Sequence, residues 1–339
     1  MATYADAGIN LDTARETTQR IGEIVARSRG AGVLADVGAF GGMFRLNALG
    51  EFRDPVLVAS TDGIGTKVKV ASALGRYDNL GADIVNHCVN DIAVQGARPI
   101  FFLDYLALHT ADPEVVTTLV GSVAAACAAA GCALLGGETA EMPDVYPAGE
   151  FDLAGTIVGV MERDAIGANG APRAGDVLLG LPSDGLHTNG YSLARRALPF
   201  DSWREFDPAL GMSVGEALLV PHRSYVHEIQ ALIAAGARGF AHITGGGLPE
   251  NTERIVPQGL AAVIDATAWE PLPIFGRIAQ AGRISSEEMF RVFNMGIGLV
   301  AIVPAEHLTA ARSAVPTAIV IGQIGTRGDG PAVEVRGTT

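Results

Sequence analysis

Pro55-Val-Leu-Val-Ala59 runs without a break into Ser60-Thr-Asp-Gly-Ile-Gly-Thr-Lys67. The first five residues read as a short buried strand, and its end delivers a carboxylate, two glycines, a hydroxyl and an amine in quick succession. Glycines such as Gly63 and Gly65 let backbone N–H groups approach an anion closely, Lys67 offers a point charge beside Thr66, and Asp62 can hold a divalent cation. The spacing differs from the Gly-x4-Gly-Lys phosphate loop. The competing reading is an ordinary strand-to-helix turn that ends in a surface lysine.

Working outward, helices are expected at 11–29, about 80–96 and from Pro113 to about Ala130, with strands at Ile100–Leu108, Ala133–Leu135 and Phe151–Met161. Residues 30–50 are Gly-rich and read as a loop. The stretch 163–176 is rich in Gly, Ala, Asn and Pro and reads as a boundary between domains at 1–165 and 170–339. Beyond it, strands are expected at Val177–Leu181, Ala261–Asp265, Gly298–Val303 and Ala318–Ile321, and helices at about 190–197, 222–235 and 248–255. Both halves mix strands with helices, so the fold class is mixed α/β or α+β.

Bulk properties narrow the function. The 339 residues carry a formal charge of −13, which opposes nucleic acid as a partner. The most apolar run, Val123 to Leu135, is broken by Gly131 and too short to span a bilayer. Met1–Asn10 carries Asp6 and no basic apolar leader, so no signal peptide is expected. Cys88, Cys127 and Cys132 show no metal-ligand spacing and suit a reducing, cytoplasmic compartment.

Four further segments carry chemistry. On the helix at 80–96, Asp83, His87 and Asp91 share one stripe, with Asn86 and Asn90 beside it. Asp91 falls near the helix C-terminus, where the macrodipole disfavours an anion, so it calls for a cation: a metal, or a base such as Arg98. His87 by itself reads as a structural hydrogen-bonder, and the whole stripe reads equally as a solvated face. Gly136-Gly137-Glu138-Thr139 follows a strand, and Glu138 can add to a metal site; a tight turn is the alternative. His242-Ile-Thr244-Gly245-Gly246-Gly247 leads into Pro249 and Glu250 like an anion-binding turn before a helix, with His242 the best-placed acid–base group. Ser183 through Leu193 sets His187, Asn189 and Ser192 before another helix, either as donors to an anion or sugar or as a structural cap. Carboxylates gather in the first half and anion nests in the second, which fits a nucleotide–metal complex facing a phosphorylated substrate.

The combination of Asp62-Gly-Ile-Gly-Thr-Lys67, Val89-Asn-Asp-Ile-Ala-Val-Gln-Gly-Ala-Arg-Pro99, Phe101-Phe-Leu-Asp-Tyr105, Gly136-Gly-Glu-Thr-Ala-Glu-Met-Pro143, Asn189-Gly-Tyr-Ser-Leu193, His242-Ile-Thr-Gly-Gly-Gly247 and Phe293-Asn-Met-Gly-Ile-Gly298 resembles the phosphoribosylformylglycinamidine cyclo-ligase family of purine biosynthesis. The likeness begins at Tyr4-Ala-Asp-Ala-Gly8 and continues in order beyond Gly322. It implies two mixed α/β domains. The first contributes strands to a barrel-like core at a homodimer interface, the second has a sheet covered by helices, and the active-site cleft lies between them. It implies formylglycinamidine ribonucleotide as substrate with ATP and Mg²⁺, and leaves a K⁺ requirement open. By this resemblance the amide oxygen is expected to attack the γ-phosphate to give an iminophosphate, after which the amidine nitrogen closes the ring and phosphate leaves.

By the same resemblance Asp62, Asp91 and Glu138 are the expected metal ligands. Gly63, Gly65, Thr66, Lys67, Asn90, Gly137, Glu138 and Thr139 are the expected ATP-binding residues. His187, Asn189, Ser192, Thr244, Gly245, Gly246 and Gly247 fall to the substrate, and His242 and Lys67 to catalysis. In the related selenophosphate synthetases the place before Thr-Gly is acidic and binds metal, so His242 is open between metal ligand and proton relay. Ala26-Arg-Ser-Arg29 departs from family members that carry lysines there. Selenophosphate synthetase itself would want a reactive Cys within 30–50, where there is none. Thiamine-monophosphate kinase lacks the Gly-Gly-Glu-Thr-Ala-Glu segment. A non-catalytic nucleotide sensor would not need Asp62, Lys67 and Asp91 together.

Overall fold

The computed structural model describes residues 11–26, 29–30, 32–35 and 39–338. The Tyr4–Gly8 stretch, residues 27–28 of the arginine-rich segment and the side chain of Asp12, a candidate helix cap, lie outside the described residues. The chain divides into two compact units. Met1–Ile92 with Ala97–Arg163 form the first, and Asp164–Thr339 with the short Ala93–Gly96 form the second.

In the first unit the elements are α1 (Leu11–Ala26), β1 (Pro55–Gly63), α2 (Lys67–Leu74), α3 (Leu80–Ala93), β2 (Arg98–Leu108), α4 (Pro113–Ala129), β3 (Ala133–Glu141) and β4 (Phe151–Glu162). The sheet runs β1-β4-β2-β3; only β2 and β3 are parallel. α4 starts where Pro113 fits its first turn and the Asp112 carboxylate accepts from the N–H groups of Glu114 and Val115. It packs on β3 and on α1, where Arg20 lies 2.8 Å from Glu114. Along β4, Phe151, Leu153, Gly155, Ile157 and Gly159 are buried while the residues between them are partly exposed. Period 2 therefore marks one covered face and one open face.

Two elements differ from expectation. α3 ends at Ala93, short of 96, because Gly96 takes φ 89° and the N–H of Ala97 returns to Ile92. β3 does not end at Leu135; it continues through Gly136-Gly-Glu-Thr to Glu141, since β2 pairs with this whole stretch, Asp104 opposite Gly137 and Tyr105 opposite Glu138. The glycine is required there: a Cβ on Gly137 would stand 2.0 Å from the Asp104 carboxylate. The segment expected to be a turn is therefore strand.

The second unit holds β5 (Val177–Pro182), α5 (Tyr191–Ala197), the small hairpin β6 (Phe206–Asp207) and β7 (Met212–Ser213), α6 (Val214–Leu218), α7 (Val226–Ala234), β8 (Gly239–His242), α8 (Gly247–Glu253), β9 (Leu260–Asp265), α9 (Pro273–Gly282), α10 (Ser286–Val292), β10 (Ile297–Val303), α11 (Leu308–Ala314), β11 (Ile319–Thr326) and β12 (Val333–Arg336). Its main sheet runs β12-β9-β11-β5-β10-β8 and is antiparallel except for β12 with β9. Every residue of β10 is buried, as befits a strand flanked on both sides and covered on both faces. α7 begins at Val226 rather than 222, which frees His222 to turn inward.

Candidate active site

In the first unit, β1 and α3 bring their polar side chains together. His87 Nε2 donates to Asp62 Oδ2 at 2.9 Å and lies 3.8 Å from Asp91 Oδ2. Ser60 Oγ donates to Asp91 Oδ2 at 3.0 Å, and the N–H of Gly63 to Asp62 Oδ1 at 2.7 Å. Two carboxylates thus converge on one imidazole at the end of a strand, next to the exposed Gly65-Thr66 turn, where Gly65 takes φ 69°. The His87 hydrogen bond holds the Asp62 carboxyl below its usual range, against the opposing pull of burial. His87 moves the other way: burial works against its charged form, but the bond it donates to Asp62 and the charges of Asp91, Asp62 and Asp83 together raise it. Arg98 is not the compensating base for Asp91; its guanidinium donates to the Leu49 carbonyl.

Two expected ligands sit elsewhere. Lys67 is fully buried and its Nζ lies 2.7 Å from Asp83 Oδ1, itself fully buried. Burial depresses the amine's pKa and Asp83 counters it. The Lys67 amine therefore braces α2 against α3 instead of reaching a phosphate, and Asp83 leaves the stripe that His87 and Asp91 share. Glu138 is corrected by register. Asp62 pairs with Gly155, Gly155 with Asp104 and Asp104 with Gly137, so Asp62 and Asp104 share the covered face. Glu138 pairs in the next row, with Tyr105 and Ala154, and points to the open face. It cannot join Asp62 and Asp91 around one ion within this unit. Thr139 is half-buried and Asn90 buried.

Asp104 was not anticipated. It stands two strands, about 10 Å, from Asp62 in the same row, with Gly155 between them because a Cβ there would strike the Phe102 ring at 2.0 Å. Burial pushes its carboxyl up to about 7. Between about pH 4 and 7 the folded chain therefore keeps a proton that the unfolded chain has lost, and this group's contribution to stability falls as pH rises through that window. Asp104→Asn, a neutral isostere, should remove a pH-dependent difference on the order of 4 kcal/mol. Urea unfolding of both proteins from pH 4 to 8 checks this; a wild-type-minus-variant difference that does not change with pH contradicts it.

In the second unit, His187, His222 and His242 meet. They are 0 %, 1 % and 6 % exposed. The Nε2 atoms of His222 and His242 are 2.9 Å apart, His222 Nδ1 is 3.2 Å from Thr188 Oγ1, and the ring of His187 stacks on that of His222 at 4.0 Å. The Thr244–Gly247 turn is tied by one amide: Asn251 Nδ2 donates to the carbonyls of Thr244, Gly245 and Gly247. Gly246 and Gly247 take φ 93° and 61°, and a Cβ on Gly247 would meet the Phe290 carbonyl at 2.0 Å. The N–H of Gly247 is spent on Thr244, which leaves less of an anion nest than three glycines suggested. Asn189 lies beside Gly245, and its Nδ2 is buried with no hydrogen-bond partner among the described residues. Ser192 is exposed. Asn294 joins the Ser183 turn to the Phe293–Gly298 segment, accepting from Ser183 Oγ and donating to the Gly185 carbonyl. His222 and Asn251 were not singled out in the sequence, and Asn294 stood only within the Phe293–Gly298 motif with no role assigned; Asn251 carried a signal only in its place one turn after the glycines.

Residues 47–161 match the family model described as AIR synthase related protein, N-terminal domain, and 173–334 match AIR synthase related protein, C-terminal domain. Phosphoribosylformylglycinamidine cyclo-ligase of Citrifermentans bemidjiense is 46% identical over 330 residues, 95% of this chain and 94% of that protein. Among solved structures, thiamine-monophosphate kinase from Stenotrophomonas maltophilia superposes with TM-score 0.67 at 20% identity, covering 93% of this chain and 95% of the kinase. Hydrogenase maturation protein HypE in complex with ATP gives 0.62 at 18%, covering 92% and 89%. These two likenesses speak to the fold.

Proposed function

Because the chain belongs to the phosphoribosylformylglycinamidine cyclo-ligase family and is a ligase of purine biosynthesis, we propose that it converts formylglycinamidine ribonucleotide to 5-aminoimidazole ribonucleotide, using ATP with Mg²⁺ and passing through an iminophosphate. The observation that carries the reading is the convergence of Asp62 and Asp91 on His87 beside the Gly63–Thr66 turn. Their donors are carboxylate oxygens, the set that suits Mg²⁺, so the residues fit the ion.

When bound, ATP–Mg²⁺ supplies the phosphoryl group that turns the formyl oxygen, otherwise a hopeless leaving group, into phosphate. The chain's own work is positioning and charge neutralisation. His87 holds Asp62 and Asp91 in place, and the turn from Gly63 to Thr66 would hold the phosphates. Lys67 acts through the fold, as a positioning residue. Gly137 and Thr139 remain nucleotide-binding candidates, and Glu138 keeps that role without the metal. In the second unit Asn189 Nδ2 is a donor in want of an acceptor, and with Ser192 and the Thr244–Gly247 turn it takes the ribonucleotide. In the metal-free chain His242, sharing a hydrogen bond with His222, relays the proton released at ring closure.

A second copy of the chain covers the open face of the first unit's sheet, where Leu57 and Tyr105 are 63% and 40% exposed, and gives a homodimer. The three cysteines are buried and outside any disulfide, which suits a cytoplasmic enzyme. Among the described residues no helix is long and apolar enough to cross a membrane.

The reading is tested by incubating the purified protein with ATP, Mg²⁺ and formylglycinamidine ribonucleotide. ADP should form only when the ribonucleotide is present, in step with the aminoimidazole product. ATP bound without turnover would mark a nucleotide sensor.

A further inference from the structure

We propose that His187, His222 and His242, all three of the second unit, form a binding site for one zinc ion, or a divalent ion of similar softness. The three residues come from three segments of the second unit: the turn after β5, the run before α7, and the last position of β8. One ring nitrogen from each lies within 4.8 Å of the other two. All three side chains are buried, so an ion held among them would be kept from bulk water.

The orientation of His222 supports the assignment. Its Nδ1 faces Thr188 Oγ1 at 3.2 Å, and a proton on that atom donates to the hydroxyl and leaves the Nε2 lone pair for a metal. That Nε2 faces the same atom of His242 at 2.9 Å. Two lone pairs cannot point at each other across that gap; either a proton or a metal ion must lie between them. Tetrahedral zinc with nitrogens at about 2.1 Å spaces its ligands about 3.4 Å apart. The Nε2 pair therefore opens by a few tenths of an ångström, and His187 turns out of its stack with His222 to bring its nitrogen in.

The surroundings hold the His187 ring close against the other two. His187 is held at φ 64°, a conformation that non-glycine residues adopt at a cost of about 1–2 kcal/mol. A Cβ on Gly298 would stand 2.5 Å from His187 Cε1 and 2.0 Å from Tyr225 Oη, so only glycine accommodates the imidazole here. An all-imidazole donor set selects zinc over Mg²⁺, which wants six oxygens. Three protein ligands leave a fourth position for water or an anion.

The test uses the full chain, stripped with chelator and dialysed, as wild type, His187→Asn and His222→Asn. Titration with Zn²⁺ in excess Mg²⁺, read by calorimetry and by metal analysis after gel filtration, should give one ion per wild-type chain. Affinity should fall at least a hundredfold in either variant. Co²⁺ in the wild type should give the intense visible absorption of a tetrahedral site, and X-ray absorption should show three imidazole nitrogens around Zn²⁺; neither measurement needs a variant to fold. Absence of saturable binding, an ion held equally well by both variants, or a pale octahedral Co²⁺ spectrum would each overturn the site. The inference does not depend on the cyclo-ligase reading, since every readout is of metal and none of turnover.

Discussion

Asp62→Asn is expected to lower kcat for substrate-dependent ADP formation by about a thousandfold, with the fold intact. Phosphoryl transfer is accelerated by fixed charges aimed at the phosphate oxygens, and removing one such element from a preorganised site costs on the order of 10²–10³ in rate. Asp62 carries a double load. Its Oδ2 accepts from His87 and its Oδ1 from the N–H of Gly63, so the amide loses both the ligand charge and the anchor that holds the His87 ring and favours its charged form. The side chain is partly exposed at a strand end, so stability should change little. Asp91→Asn should behave alike. If both carboxylates hold one ion, the double variant should be hardly worse than either single one, because residues that act as a unit lose their effect together. Near-normal rates in both single variants at saturating ATP would refute the metal assignment, and rate losses that multiply in the double variant would separate the two residues.

Lys67→Met should destabilise the protein by roughly 3–5 kcal/mol, the usual cost of removing one partner of a buried ion pair. Lys67 and Asp83 are both fully buried at 2.7 Å, one at the start of α2 and the other in the first turn of α3. Lys67→Met with Asp83→Leu should recover most of the loss, since apolar residues of similar volume often replace a buried pair at no net cost. Urea unfolding of the two variants checks this. Where Lys67→Met remains folded, its KM for ATP should stay within a few-fold of wild type. Unchanged stability with a KM raised tenfold or more would restore Lys67 to the phosphates.

How much of this was legible in the sequence depends on the range of the interaction. The mixed α/β class, the helix that starts at Pro113 and the strand expected at Phe151–Met161 follow from local pattern, and the structure has them, the strand one residue longer. His87 and Asp91 lie four apart on one helix, so their common face was readable, and Asp62 at a strand end was a marked residue. What could not be read were facts of register and partner. Glu138 faces away from Asp62 because β3 continues past Leu135 and pairs with β2, a long-range fact in which a shift of one residue would reverse the face. Lys67 reads as a surface cation until Asp83 is known to meet it in the interior. His222 lay inside a stretch taken for helix, and only the later start of α7 turns it toward His242. Asn251 and Asn294 hold backbone turns, and although one follows three glycines and the other lies in a family motif, their partners are set by the fold.

In the proposed reaction the formyl oxygen of the substrate is phosphorylated before the ring closes. Substrate labelled with ¹⁸O in the formyl group, turned over once with unlabelled ATP in unlabelled water, tests it directly by mass spectrometry of the inorganic phosphate. The account predicts one ¹⁸O atom in each phosphate released. Unlabelled phosphate, with the ¹⁸O appearing in water, would contradict it.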